Sequence, residues 1–275
     1  MRISLILALS LLLPLQAQAE SLVEQLAGTV RINDCSGSIV TLEGRLSSQK
    51  ALVLTNGHCV KMGSLMGQYP AAGEAFFRVP QKKHAVLFSG DPSSQRKELV
   101  TEQLLYATMT DTDIGLYALA ESYDELKKRA GVVPFVIAKY PRIDRDTRVR
   151  LPSGYWMKNQ TCVLESTVHK LKEGDWTWGP SLRLSTGCNI QHGASGSPIL
   201  EDGTNIVIGV VNTVYFGGEA CSFDNPCEVD DANRISVGSM NQPYGQLVNQ
   251  IYSCLDSKNE LDLNIAGCPL TKVKN

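Results

Sequence analysis

The sequence predicts an all-β fold, a barrel or a sandwich of many short strands. Two observations carry this. Apolar runs of three to eleven residues recur along the chain, and turn residues separate them. Helix-compatible patterning is confined to 121–129 and 241–255 once the first residues are set aside.

Those first residues, 1–19, read as a secretion signal. Arg2 gives a short positive start, 5–15 is nearly all apolar, and Ala17-Gln18-Ala19 is a small-x-small cleavage site before Glu20. The expected destination is the extracellular medium or a periplasm. No later stretch is long and apolar enough to span a bilayer, so no stable membrane insertion is expected. The formal net charge is -2, from 26 Lys and Arg against 28 Asp and Glu. The basic residues form local pairs and no stripe interleaved with aromatics, which argues against a nucleic-acid partner.

The strands follow in order. The stretch 28–40 alternates irregularly, with turn residues at Asn33-Asp34 and Ser36-Gly37. Runs 51–55, 75–79, 85–88, 99–109 and 114–118 complete a first half, 20–125. The polar segment 121–129 is a crossover helix. Runs 132–138, 147–151, 160–165, 181–185, 198–200, 206–214 and 234–237 form a second half, 126–240. Leu247, Ile251 and Leu255 share one helical face within 241–255, so the last part, 241–275, opens with a C-terminal helix.

All eight cysteines lie beyond the signal: Cys35, Cys59, Cys162, Cys188, Cys221, Cys227, Cys254 and Cys268. An even count in a secreted chain implies disulfides. Eight cysteines permit roughly a hundred pairings. Pairing nearest neighbours would close four local loops. No Cys-x-x-Cys blocks suggest zinc. The acids of 224–231 lack the spacing of an EF-hand loop and read as solvated. Asn159-Gln160-Thr161 is formally a glycosylation sequon.

Three short motifs carry chemistry. Leu54-Thr55-Asn56-Gly57-His58-Cys59 offers a base, Asp111-Thr112-Asp113-Ile114-Gly115-Leu116 an acid, and Gly193-Ala194-Ser195-Gly196-Ser197-Pro198 a serine in a glycine-rich turn. A serine hydroxyl is a weak nucleophile until a histidine takes its proton, and a carboxylate fixes that histidine's tautomer. His58, Asp113 and Ser195 fit these roles, in an order known for such triads. Asp113 stands directly before an apolar run; Asp111 is the alternative acid. Among the other histidines, His84 and His169 lack comparable context, and His192 is the remaining candidate base. The N–H groups of Gly193 and Ser195 would form an oxyanion hole. This chemistry needs no metal and no cofactor.

On these motifs the chain resembles the chymotrypsin-like serine endopeptidases, over roughly residues 25–255. The serine turn is most similar to that of the bacterial branch containing glutamyl endopeptidases, and a Cys162–Cys188 pair would match that branch. The resemblance implies two six-stranded antiparallel β-barrels with the active site between them. The 20–125 half would carry the histidine and acid, and the 126–240 half the serine. It also implies that Asn189, Ile190, His192, Val211, Asn212, Thr213 and Val214 border the substrate. P1 is the substrate residue whose carbonyl is attacked. Asn189 stands where an acid would select a basic P1. Val211 stands where glutamate-specific enzymes place a histidine. A basic P1 is therefore disfavoured, unless another acid points inward, glutamate specificity is not expected, and a small or apolar P1 is preferred. Backbone groups of 212–214 would hold a peptide as an added strand. Ala194 replaces the acid that receives a new N-terminus in digestive relatives, so no such activation switch is expected.

The expected function is a secreted serine endopeptidase acting on polypeptides, open to a protein inhibitor, with a monomer as the default. A silent binding protein or adhesin on the same barrels is the alternative, and an esterase using the same serine is another.

Overall fold

Asn33 and Asp34 split the first apolar stretch into a hairpin of β1 (Thr29–Ile32) and β2 (Cys35–Thr41). Asn33 takes the left-handed φ of 53° that a tight turn demands. Ser36 and Gly37, read above as turn residues, lie inside β2. The computed structural model describes residues 21–62, 69–89 and 96–273; the expected signal lies outside these. A single helical turn, α1 (Leu22–Gln25), precedes β1 and is closed by a Ser21–Glu24 capping box.

The first half continues with β3 (Lys50–Thr55), β4 (Ala75–Pro80), β5 (His84–Phe88), β6 (Arg96–Thr108) and β7 (Ile114–Ser122). Pairing runs β1–β2–β3–β7–β6–β5 and returns to β1, every step antiparallel. That circuit is a closed six-stranded barrel, and β4 pairs with β6 outside it. Closure leaves none of the six as a free edge. Ile39, Leu52, Leu54, Leu99, Leu104 and Leu116 belong to its buried apolar core. The crossover helix, α2 (Tyr123–Ala130), starts on a Ser122–Glu125 capping box and ends at Gly131 in the left-handed region.

Beyond it, β8 (Phe135–Ile137) is a parallel bridge between β2 and a strand of the second half. That half contains β9 (Arg148–Ser153), β10 (Lys158–Val168), β11 (Lys170–Glu173), β12 (Trp176–Trp178) and β13 (Ser181–Leu184). It continues with β14 (Pro198–Glu201), β15 (Ile206–Tyr215), β16 (Cys227–Val229), β17 (Ile235–Ser236) and β18 (Gln242–Leu247). A second closed circuit runs β9–β10–β13–β18–β15–β14 and back to β9. Leu151, Leu164, Leu182, Ile199, Ile208 and Val211 lie in its core. The remaining strands form a small separate sheet, β12–β11–β16–β17.

Four disulfides join nearest neighbours in sequence: Cys35–Cys59, Cys162–Cys188, Cys221–Cys227 and Cys254–Cys268. The stretch 241–255 is not one helix. Its first half is β18, which closes the second barrel, and only Asn249–Cys254 is helical, in 3-10 form. Pro243 and Gly245 oppose an α-helix there, while Ile251 keeps the buried face that the periodicity marked. Among the described residues no helix is long and apolar enough to cross a membrane.

Candidate active site

The base, acid and serine segments meet between the barrels. Thr55 ends β3, and its hydroxyl donates to the Ser36 carbonyl at 2.7 Å. The next residues make a tight turn, with N–H bonds from Cys59 to Asn56 and from Val60 to Gly57. Cys35–Cys59 ties that turn to β2. His58 is thus held on both sides. Asp113 sits just before β7 and is fully buried. Its Oδ2 is 2.6 Å from His58 Nδ1, and its Oδ1 accepts the His58 backbone N–H at 3.0 Å. Asn56 Nδ2 donates to the Asp113 carbonyl at 2.8 Å. Asp111 is directed elsewhere, its N–H donating to Thr177 and its carbonyl accepting from Gly179.

Burial pushes the His58 imidazole down. The Asp113 charge and hydrogen bond outweigh it, Glu173 and Asp224 add to them, and the net value lies above that of an ordinary histidine. Asp113 is therefore paired with a group that can become charged.

The serine turn has its own supports. Gly196 takes φ 80°, and a Cβ there would lie 2.2 Å from the Ser36 carbonyl oxygen. Only glycine lets the turn press against β2 this closely. Gly193 takes φ 92° against the Tyr155 ring. Ser36 is the joint between the barrels, and the sequence reading missed it. Its N–H donates to the Ser195 carbonyl at 2.9 Å, and its hydroxyl donates to the Gly193 carbonyl at 2.9 Å. The same hydroxyl lies 2.9 Å from Ser153 Oγ and accepts the Tyr155 N–H at 3.1 Å. Ala194 is buried in the second barrel's core.

Ser195 and His58 line one cleft, together with Ile190, His192, Asn212, Thr213 and Val214. The Ser195 hydroxyl donates to the Asn212 carbonyl at 3.4 Å. Asn189 and Val211 are not among the lining residues. Asn189 is exposed, its carbonyl accepting from Gln160 Nε2. Val211 is fully buried, and its N–H and carbonyl pair with Ser197 and Gly196, so it braces the serine turn from behind. His84 and His169 pair with Glu98 and Asp231, outside the cleft.

The cleft contains two further acids: Glu173, which the sequence reading did not single out, and Asp224, the first of the acids read above as solvated, which instead lines the cleft while remaining partly exposed. Burial pushes Glu173 up to about 7, against the opposing effect of its hydrogen bonds to Thr213 and the Asp224 N–H. No motif surrounds Glu173. The only signal was the alternation of Lys170-Leu171-Lys172-Glu173, which is the pattern of a short strand. Among the described residues one grouping has the proximity of a metal set, Cys35, Cys59 and His58, and its two sulfurs are joined to each other.

The description "trypsin-like peptidase domain" belongs to a family model that matches residues 35–210. The chain belongs to the trypsin-like peptidase family. The two-barrel architecture agrees with the protease domain of MamO from Magnetospirillum magneticum. That apo structure superposes with a TM-score of 0.51 at 12% identity, covering 85% of this chain and 98% of that one. Neuropsin, a serine protease expressed in the limbic system of mouse brain, gives 0.47 at 16%, covering 84% and 93%. A thermostable serine protease, AL20, from an extremophilic microorganism gives 0.45 at 14%, covering 82% and 93%. No curated protein matches the chain in sequence.

Proposed function

We propose that the chain is a serine endopeptidase of an oxidising compartment, extracellular or periplasmic, that cleaves polypeptides through an acyl-enzyme. The observation that carries this is the 2.6 Å contact of His58 Nδ1 with buried Asp113, in the cleft that Ser195 lines. With Asp113 ionised, Nδ1 holds the proton and Nε2 offers its lone pair. Ser195 Oγ attacks the P1 carbonyl as its proton passes to Nε2. The Gly193 and Ser195 N–H groups receive the developing oxyanion. Imidazolium then returns the proton to the leaving amine as the C–N bond breaks. Water, deprotonated by His58, attacks the acyl ester and frees the carboxylic product and Ser195.

Ile190, Val214 and Phe216 line the cleft and would favour a small or apolar P1. Backbone groups of Asn212 to Val214 would pair with the substrate as an added strand.

The test is cleavage of a diverse peptide library by the mature protein, read by mass spectrometry. Labelling with a fluorophosphonate runs in parallel. Ser195→Ala should abolish both, with kcat falling about 10^6-fold. Cuts that persist in that variant would refute the assignment. A folded, processed wild type that neither cuts nor labels would support a binding protein, and turnover of esters alone would support an esterase.

A further inference from the structure

Triad chemistry leaves one wall of the cleft unexplained. Glu173 ends β11, is 5% exposed, and lines the cleft with Asp224. Its Oε2 accepts the Thr213 hydroxyl at 2.6 Å, and its Oε1 accepts the Asp224 N–H at 3.0 Å. Both donors are neutral, and a carboxylate has about four acceptor sites, so acceptor capacity remains. The Asp224 carboxylate lies 4.0 Å from His192 Nε2. Among the described lining residues the basic side chains are His58 and His192; no lysine or arginine is present. A carboxylate held out of water without a lasting counter-charge is costly; Glu173 is held so, and the partly exposed Asp224 sets a second carboxylate beside it.

A second observation points to a ligand. Asn212 lines the same cleft and is 4% exposed, yet neither its Oδ1 nor its Nδ2 has a hydrogen-bond partner. Buried side-chain amides in folded proteins almost always have partners. The buried amide therefore sits beside the cleft with its hydrogen-bonding capacity unused. A third observation gives the ligand its character. Tyr69 and Phe223 line the cleft, with ring centroids 6.4 Å apart and an interplanar angle of 24°. Such ring faces attract a cation and its aliphatic stem.

We infer that Glu173 and Asp224 form a subsite for a lysine or arginine side chain of the substrate, at a position amino-terminal to P1. This rests on the peptidase reading. Thr213, which holds Glu173, directly follows Asn212, whose carbonyl adjoins the Ser195 hydroxyl. The acidic wall therefore borders the rim along which a paired substrate strand would run. Ile190, Val214 and Phe216 remain free for an apolar P1. The cationic group supplies the counter-charge that neither histidine provides while neutral. Cys221–Cys227 and the Gly174 N–H bond to the Cys221 carbonyl hold the Asp224 loop against the Glu173 hairpin.

The experiment reads binding, so it does not depend on turnover. Ser195→Ala protein is titrated by fluorescence anisotropy with peptides that carry lysine or norleucine at each position in turn. Lysine should bind roughly tenfold more tightly at one position amino-terminal to P1, the effect of about one charge-assisted hydrogen bond. Glu173→Gln in the same background should erase that preference, and Asp224→Asn should reduce it. Asp224 is partly exposed, so its variant serves if Glu173→Gln does not fold. Equal binding at every position overturns the inference, as does a preference that survives both substitutions. Failure of wild-type protein to label with fluorophosphonate would sink the peptidase reading alone, because the lysine preference is measured without catalysis.

Discussion

Two buried carboxylates serve the cleft, Asp113 behind His58 in the first barrel and Glu173 in the lining beside the second. Asp113 faces an imidazole at 2.6 Å and also accepts that histidine's backbone N–H. Glu173 faces a hydroxyl and a backbone N–H, neither of which can carry charge. Equal burial thus has unequal consequences. On the proposed mechanism, the first acid has a partner that becomes cationic when it accepts the serine's proton. The second is pushed up to about 7 and holds its charge poorly near neutral pH. Burial alone does not reveal what an acid does; its partner does.

The largest expected effect tests the Asp113 side. Asp113→Asn keeps the shape but offers an amide donor to Nδ1, which favours the wrong tautomer and removes the charge opposite the imidazolium. A fall of about 10^4-fold in kcat is expected, measured on protein shown to be folded. A loss under tenfold would mean that Asp113 is a structural acid no different in kind from Glu173.

The next effect is on stability and belongs to the Glu173 side. An acid raised from 4.5 to about 7 binds more protons folded than unfolded across that window. Stability contributed by the protonated form is therefore lost as pH rises from 4.5 to 7. The loss amounts to about 3 kcal/mol by pH 8. Glu173→Gln should remove that share, making the variant more stable at pH 8 and nearly equal at pH 4 in denaturant unfolding. His58, raised as well, also loses stability as pH rises through its folded value. Only the difference between wild type and variant isolates Glu173. Parallel curves would show that its charge is already compensated.

A smaller effect tests the joint between the walls. Ser36→Ala deletes a buried hydroxyl that donates to Gly193 and accepts from Tyr155. Losing it leaves polar groups unpaired, at a cost of about 1–3 kcal/mol. The serine turn should lose its register to β2, lowering kcat more than it raises KM. A change confined to melting temperature would make Ser36 structural only.

These residues also show what the sequence made legible. His58, Asp113 and Ser195 stand in short motifs that can be read locally, and the structure places His58 and Ser195 in one cleft with Asp113 against His58. The first-barrel strands were visible as apolar runs because one face of each is buried. Ser36 was invisible, since its role depends on residues more than a hundred positions away. Glu173 was invisible for the opposite reason: a charged residue between Lys172 and Gly174 reads as the solvated end of a short strand. The helical period over 241–255 misled because barrel closure needed a strand there, and Pro243 and Gly245 allowed it.

The smallest effect couples the two carboxylates through His58. On the proposed mechanism His58 must be neutral to accept the Ser195 proton, so kcat/KM should fall as pH drops through the His58 value, which lies above the ordinary one. Ionised Glu173 contributes to that elevation. Glu173 itself titrates near 7, so its charge appears as pH rises and opposes loss of the imidazole proton while that loss is under way. The wild-type acid limb should consequently be broader than a single-proton curve. In Glu173→Gln the limb should steepen to one proton and its midpoint should move to lower pH. A pH profile of kcat/KM on a substrate lacking lysine and arginine separates this from any effect on substrate binding. Superimposable limbs would mean that the Glu173 charge does not reach the base, and that the two walls act independently.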